Sequence, residues 1–256
     1  MKTPNVLLYK RMARQRGVGL IELMISIVIG LILVLLVSNY YLSSRQSYQT
    51  TIVSSEITDS QRYAVQLITR QLLLAGYSDY WFNQQTEFTS LPAKGSVPAF
   101  GAGQVVASNP GSDRIWIRFR PAALENQQIV ACDNQIINEP IDTVVVMQLG
   151  VNTDQALFCK RIDTGGGSVP LLNGVDAMAF DFLDDSDAFQ PAGAVADWSS
   201  VRAVRLNLIL RSETATFDTP TQQVINWPGG NRVFNDRQMR ARMTRVVALR
   251  NNLGGI

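Results

Sequence analysis

The fold predicted from the sequence is α+β, with a long N-terminal α-helix, transmembrane in its first half, packed on a C-terminal antiparallel β-sheet domain. Three observations predict it. From Val18 to Val37 the chain is apolar apart from a single charge, Glu22. From Ser38 until Gly76 there is no proline or glycine, so a helix can run on past the apolar stretch. Beyond Val106 come short segments in which apolar and polar residues alternate, the pattern of antiparallel strands with one solvated face. A chain of 256 residues accommodates this helix and one globular domain. The expected divisions are a leader over 1–17, a transmembrane and stalk helix over 18–76, and a β-rich domain over 77–256.

The leader is basic. Lys2, Lys10, Arg11, Arg14 and Arg16 all precede Gly17, with no acidic residue among them. The formal charge of +2 therefore misleads: of 23 basic residues 18 remain beyond the leader against 21 acidic ones, a net of about −3. A body of that sign is a poor general magnet for nucleic acid, so no specific nucleic-acid partner is expected.

The apolar run is about twenty residues long, and at 1.5 Å per residue it spans roughly the 30 Å hydrocarbon core of a bilayer. The basic cluster before it places the leader in the cytoplasm and everything after Val37 across the membrane. An ordinary secretory signal is cut after its apolar stretch, at small residues. Here the distinctive residues come before it, which leaves a plain signal anchor with a snorkelling glutamate as the bland alternative.

Those residues read Arg16-Gly17-Val18-Gly19-Leu20-Ile21-Glu22-Leu23-Met24, and they resemble the type IV prepilin signature. Val18 stands where phenylalanine is usual and Gly19 where threonine is usual. The resemblance implies the pilin fold, cleavage after Gly17 by a membrane prepilin peptidase, methylation of the new amine on Val18, and Glu22 as the fifth mature residue. It also implies that Glu22 neutralises the amine of an adjacent subunit during assembly. The chemistry agrees, because a carboxylate in a membrane helix costs several kcal/mol unless something compensates it.

Along the stalk, Ile57, Ala64, Val65, Ile68, Leu72 and Ala75 recur at three- and four-residue intervals, a stripe that should bury against the globular domain. Gly76 follows as a helix C-cap. A free coiled coil is the weaker reading, since no clean heptad with charged flanks is sustained.

Residues 77–106, rich in Ser, Pro and Gly, read as a connection. Strands are expected at Arg114 to Arg120, Thr143 to Leu149, Ala156 to Ile162, Met178 to Phe182, Val204 to Leu210 and Thr244 to Arg250. The first mixes arginines with aromatics, as nucleic-acid strands do, but an amphipathic strand accounts for it. Asp181, Asp184, Asp185 and Asp187 offer carboxylates to calcium, yet lack the glycine and distal glutamate of an EF-hand, and a solvated acidic turn is expected. Gly165-Gly166-Gly167 lacks the lysine of a phosphate-binding loop and reads as a hairpin tip.

With no histidine, neither a Ser-His-Asp nor a Cys-His nucleophile can be assembled. No catalytic residue, metal site or cofactor is expected, and no enzymatic activity. Cys132 and Cys159 cannot make a four-thiolate site. In a domain outside the cytoplasm a disulfide between them is the natural reading, against two free buried thiols.

Residues 201–212 and 245–251 look like the corresponding segments of PilW-type minor pilins. This resemblance implies a minor subunit that helps initiate a type IV pilus and sits at its tip, with a J-type pseudopilin of type II secretion as the alternative. The partners it implies are the prepilin peptidase, other minor pilins, the major pilin and a tip adhesin. The location it implies is the inner membrane, single-pass with the C-terminal domain periplasmic, and then the pilus.

Overall fold

The computed structural model describes residues 19–78, 84–121, 129–132, 134–140 and 142–252. The chain divides into two compact units between Gln49 and Thr50, and one helix, α1 (Leu20–Leu72), runs through the division.

In the second unit α1 buries Val53, Ile57, Gln61, Ala64, Ile68, Gln71 and Leu72. These positions recur every three or four residues, so one face is covered and the other stays polar. Val65 is only partly buried. Gly76 then takes φ +74°, open to a residue without Cβ, and its N–H donates to the Arg118 carbonyl at 2.9 Å.

A single turn, α2 (Gln84–Glu87), precedes the strands. A five-stranded antiparallel sheet follows in the order β1-β2-β3-β4-β5, from β1 (Val106–Ala107), β2 (Ile115–Phe119), β3 (Val145–Val151), β4 (Leu157–Arg161) and β5 (Val169–Leu172). The next strands are β6 (Val175–Leu183), β7 (Phe189–Pro191) and β8 (Ala203–Arg211). After these come β9 (Thr221–Ile225), β10 (Arg232–Asp236) and β11 (Arg240–Ala248). A four-stranded sheet orders β11-β8-β6-β7, and β9 with β10 forms a separate hairpin.

One core joins helix and sheets. The α1 stripe meets Ile115, Ile117 and Phe119 of β2, Val145, Met147 and Leu149 of β3, and Leu206, Leu208 and Leu210 of β8 in a single cluster. At roughly 1.5–3 kcal/mol per buried large apolar side chain, this cluster dominates the stability of the unit.

The solvated outer face expected of the sheet is not what β2 and β3 present, since every residue of both strands is buried. The connection before β1 lies over that face. Phe100 packs there on Ala107, Trp116 and Val146. Arg118, fully buried, donates to the carbonyls of Thr89 at 2.6 Å, Phe88 at 3.0 Å, Gly101 at 2.6 Å, and Gln104. Its guanidinium also stands 5.3 Å from the Phe88 ring centroid and 5.0 Å from that of Phe100. The arginine-aromatic strand is thus a clamp on its own chain. Burial pushes the Arg118 pKa down to about 10, which leaves it a cation at neutral pH.

The outer face of β6 and β8 is covered likewise, by the β9–β10 hairpin, with Ala177 and Ile209 under Trp227 and with Ile225 and Phe234 packed alongside.

Candidate assembly surface

The first unit is helix with nothing of its own to pack on. Every residue from Gly19 to Gln49 except Gly30 is exposed. Fifteen large apolar side chains between Leu20 and Val37 are among them, on all sides of the helix. Leaving them in water forgoes roughly 20–45 kcal/mol of apolar transfer, so this surface requires lipid or other helices around it. α1 is long and apolar enough to cross a membrane. Tyr40 and Tyr41 close the run, where amphipathic rings suit a membrane–water boundary; no motif marks them, and their place after an apolar run is the one signal the sequence carries.

Glu22 lies in the first turn of α1. That turn is tied by Glu22 N–H and Leu23 N–H donating to the Gly19 carbonyl at 3.0 and 3.1 Å, and Ser26 Oγ donates to the Glu22 carbonyl at 2.7 Å. A carboxylate in the first turn meets the positive end of the helix dipole, worth about 0.3–1 kcal/mol where exposed. Among the described residues no other charge occurs before Arg45. Gly17, Val18 and the basic leader lie outside the described residues.

The other singled-out residues belong to the second unit. Cys132 and Cys159 are joined as a disulfide with Cα atoms 6.0 Å apart, tying the 129–140 connection to β4. The acidic cluster is not a solvated turn throughout, because its members are taken up by different partners. Asp181, buried, accepts from Arg205 at 2.8 Å and from Asn207 at 3.1 Å. Asp184, also buried, accepts from the Ser186 N–H at 2.9 Å and from Gln190 at 2.5 Å; these bonds, the Ser186 ones foremost, hold its carboxyl below the usual range. Asp187 pairs with Arg202. Among the described residues no group of three His, Cys, Asp or Glu is placed to hold a metal ion. The Gly165 triplet joins β4 to β5, which pair as an antiparallel hairpin.

Residues 145–251 match the family described as Type IV Pilus-assembly protein W, and residues 12–38 match the prokaryotic N-terminal methylation motif. Among solved structures, a type IV-like pilin from Thermus thermophilus is similar at 18% identity, over 76% of this chain and 97% of that one, with a TM-score of 0.43. No curated protein matches the chain.

Proposed function

As a type IV pilin-like protein of the PilW type, the chain is, we propose, a minor pilin that helps initiate a type IV pilus and sits at its tip. The observation that carries this reading is α1 itself, apolar and exposed on every side over Leu20–Val37 with one carboxylate in its first turn. Such a helix is stored in the inner membrane, with the β domain periplasmic, and is then withdrawn into a bundle of like helices. Prepilin peptidase cuts between Gly17 and Val18 and the Val18 amine is methylated. Glu22 offsets the amine of an adjacent subunit, for which it is the only carboxylate among the described residues of the apolar stretch. The partners in this reading are the other minor pilins, the major pilin and a tip adhesin.

Intact-mass analysis of the protein from sheared pili tests it. The expected mass is that of a chain beginning at N-methylated Val18. A mature chain beginning beyond Val37 marks an ordinary secretory signal and overturns the reading.

A further inference from the structure

The four edges of the two larger sheets are finished unequally. β1 has two residues, β5 has four and contains Pro170, and β7 has three and ends on Pro191. Short strands and prolines are two of the devices that keep edges from pairing with other chains. β11 has neither of these two. Its nine residues pair with β8 in unbroken register from Arg240↔Arg211 to Ala248↔Ala203, without proline or glycine, and its other side is the open edge of the sheet.

The phase of that ladder settles which groups face outward. Ser212 N–H donates to the Met239 carbonyl and Leu249 N–H to the Arg202 carbonyl, each at 2.8 Å. Odd-numbered residues of β11 therefore bond to β8, and the N–H and C=O of Arg240, Arg242, Thr244, Val246 and Ala248 point to the open side. Gln223 Oε1 accepts the Arg240 N–H at 3.0 Å. The amides of Arg242, Thr244, Val246 and Ala248 have no acceptor among the described residues.

This edge is basic. From Arg240 to Arg250 there are four arginines and no acid. Arg240 is spent on Asp176 and Asp236. Among the described residues Arg242 donates only to neutral groups, the Asn226 carbonyl at 2.8 Å and Asn207 Oδ1 at 3.0 Å. Arg245 and Arg250 are exposed, and among the described residues neither has a carboxylate partner.

We infer that the free edge of β11 is a strand-addition site for an extended segment of a different chain, one that carries acidic side chains opposite Arg245. Main-chain bonds to the outward amides supply affinity and Arg245 selects the sign of the partner. A second copy is disfavoured, because it would set one acid-free basic strand against another. The inference concerns the second unit alone and stands whether or not the chain joins a pilus.

The test uses the full chain in detergent micelles and two short synthetic peptides, one alternating glutamate with valine and one alternating lysine with valine. The glutamate peptide is expected to slow amide exchange at Thr244, Val246 and Ala248, and to bind about fivefold more tightly than the lysine peptide. Arg245→Glu reverses that preference. Val246→Pro deletes an outward N–H without removing a bond to β8, and weakens binding by at least about tenfold. Equal binding of both peptides, unchanged binding by Val246→Pro, or exchange at these amides that slows with protein concentration alone would each overturn the inference, the last by making a second copy the occupant. If Val246→Pro does not fold, Arg245→Glu, a surface change, decides the matter by itself.

Discussion

Replacing Arg118 by methionine should loosen one face of the β domain while leaving the helix-packed core in place. The side chain is fully buried and donates to four carbonyls. Two of these retain another donor, since Gly103 N–H serves Phe88 and Gln104 N–H serves Gly101. The carbonyls of Thr89 and Gln104 are left without a partner among the described residues, at about 1–3 kcal/mol each. Two cation–π contacts are lost at about 0.5–1 kcal/mol each, and relief of the buried charge offsets part of the total. The net expectation is a loss of about 2–5 kcal/mol, or roughly 4–20 °C in Tm for a domain of this size. Denaturant unfolding followed by tryptophan fluorescence measures it, and amide exchange locates it: Phe100 and Gly103 should exchange faster while Leu206 and Leu208 stay protected. Arg118→Lys keeps the charge but not the planar fork, and should fall between the two. The argument fails if Arg118→Met lies within about 1 kcal/mol of the wild type, or if lysine restores full stability.

Four further outcomes are expected. Glu22→Ala should still enter the membrane and be cut, while its recovery in sheared pili drops; normal recovery would remove the carboxylate from assembly. Alkylation without reduction should label neither Cys132 nor Cys159, and removing both should cost about 3–4 kcal/mol in unfolding experiments, as the chain-entropy model gives for a loop of this length. Gly76→Ala must adopt φ +74°, at about 1–2 kcal/mol, so a variant of unchanged denaturation midpoint would count against the cap. Arg240, donating to both oxygens of Asp236 at 2.7 Å, holds that carboxyl below the ordinary range. Because the folded value lies below the unfolded one, this contribution is present at neutral pH and lost as pH falls below about 4. The stability gap between wild type and Asp236→Asn should therefore close on acidification, and a gap that widens refutes the assignment.

What the sequence disclosed and what it withheld divide along the range of the interactions. The α1 stripe was readable because Ile57, Ala64, Ile68 and Leu72 lie within a few turns of one another, and a helix brings such neighbours to one face. The strands around Trp116, Met147, Phe158, Phe180, Leu208 and Val247 were readable from their apolar content. The hairpin β9–β10 was not. Thr221–Ile225 and Arg232–Asp236 have one face in solvent and the other on a sheet whose inner face is already core, so their pattern is weak. Alternation misled at β2, where Arg118 reads as a solvent-facing residue. Only the return of residues 88–104 across that face, set by contacts some 14 to 30 residues away, reveals the burial. At the candidate site, Glu22 stood out because a charge in an apolar run is a local anomaly. That β11 ends a sheet could not be read, because edge status depends on where β6, β7 and β8 settle.

The bonds between the two ends of this chain also dictate an order of events. Gln61 donates to the Ala241 carbonyl 180 residues later, at 3.0 Å, and Asn251 donates back to the Leu73 carbonyl across 178 residues, at 2.9 Å. Val247 and Leu249 complete the cluster that α1 began. The helix is synthesised before every strand that covers it, yet its apolar stripe has no final cover until β11 has left the ribosome. Until then the chain is a helix trailing unfinished strands, exposed to proteases and to other unfinished chains. A truncation of even a dozen C-terminal residues removes the end of β11 with Asn251, and so uncovers the helix at the opposite end of the sequence.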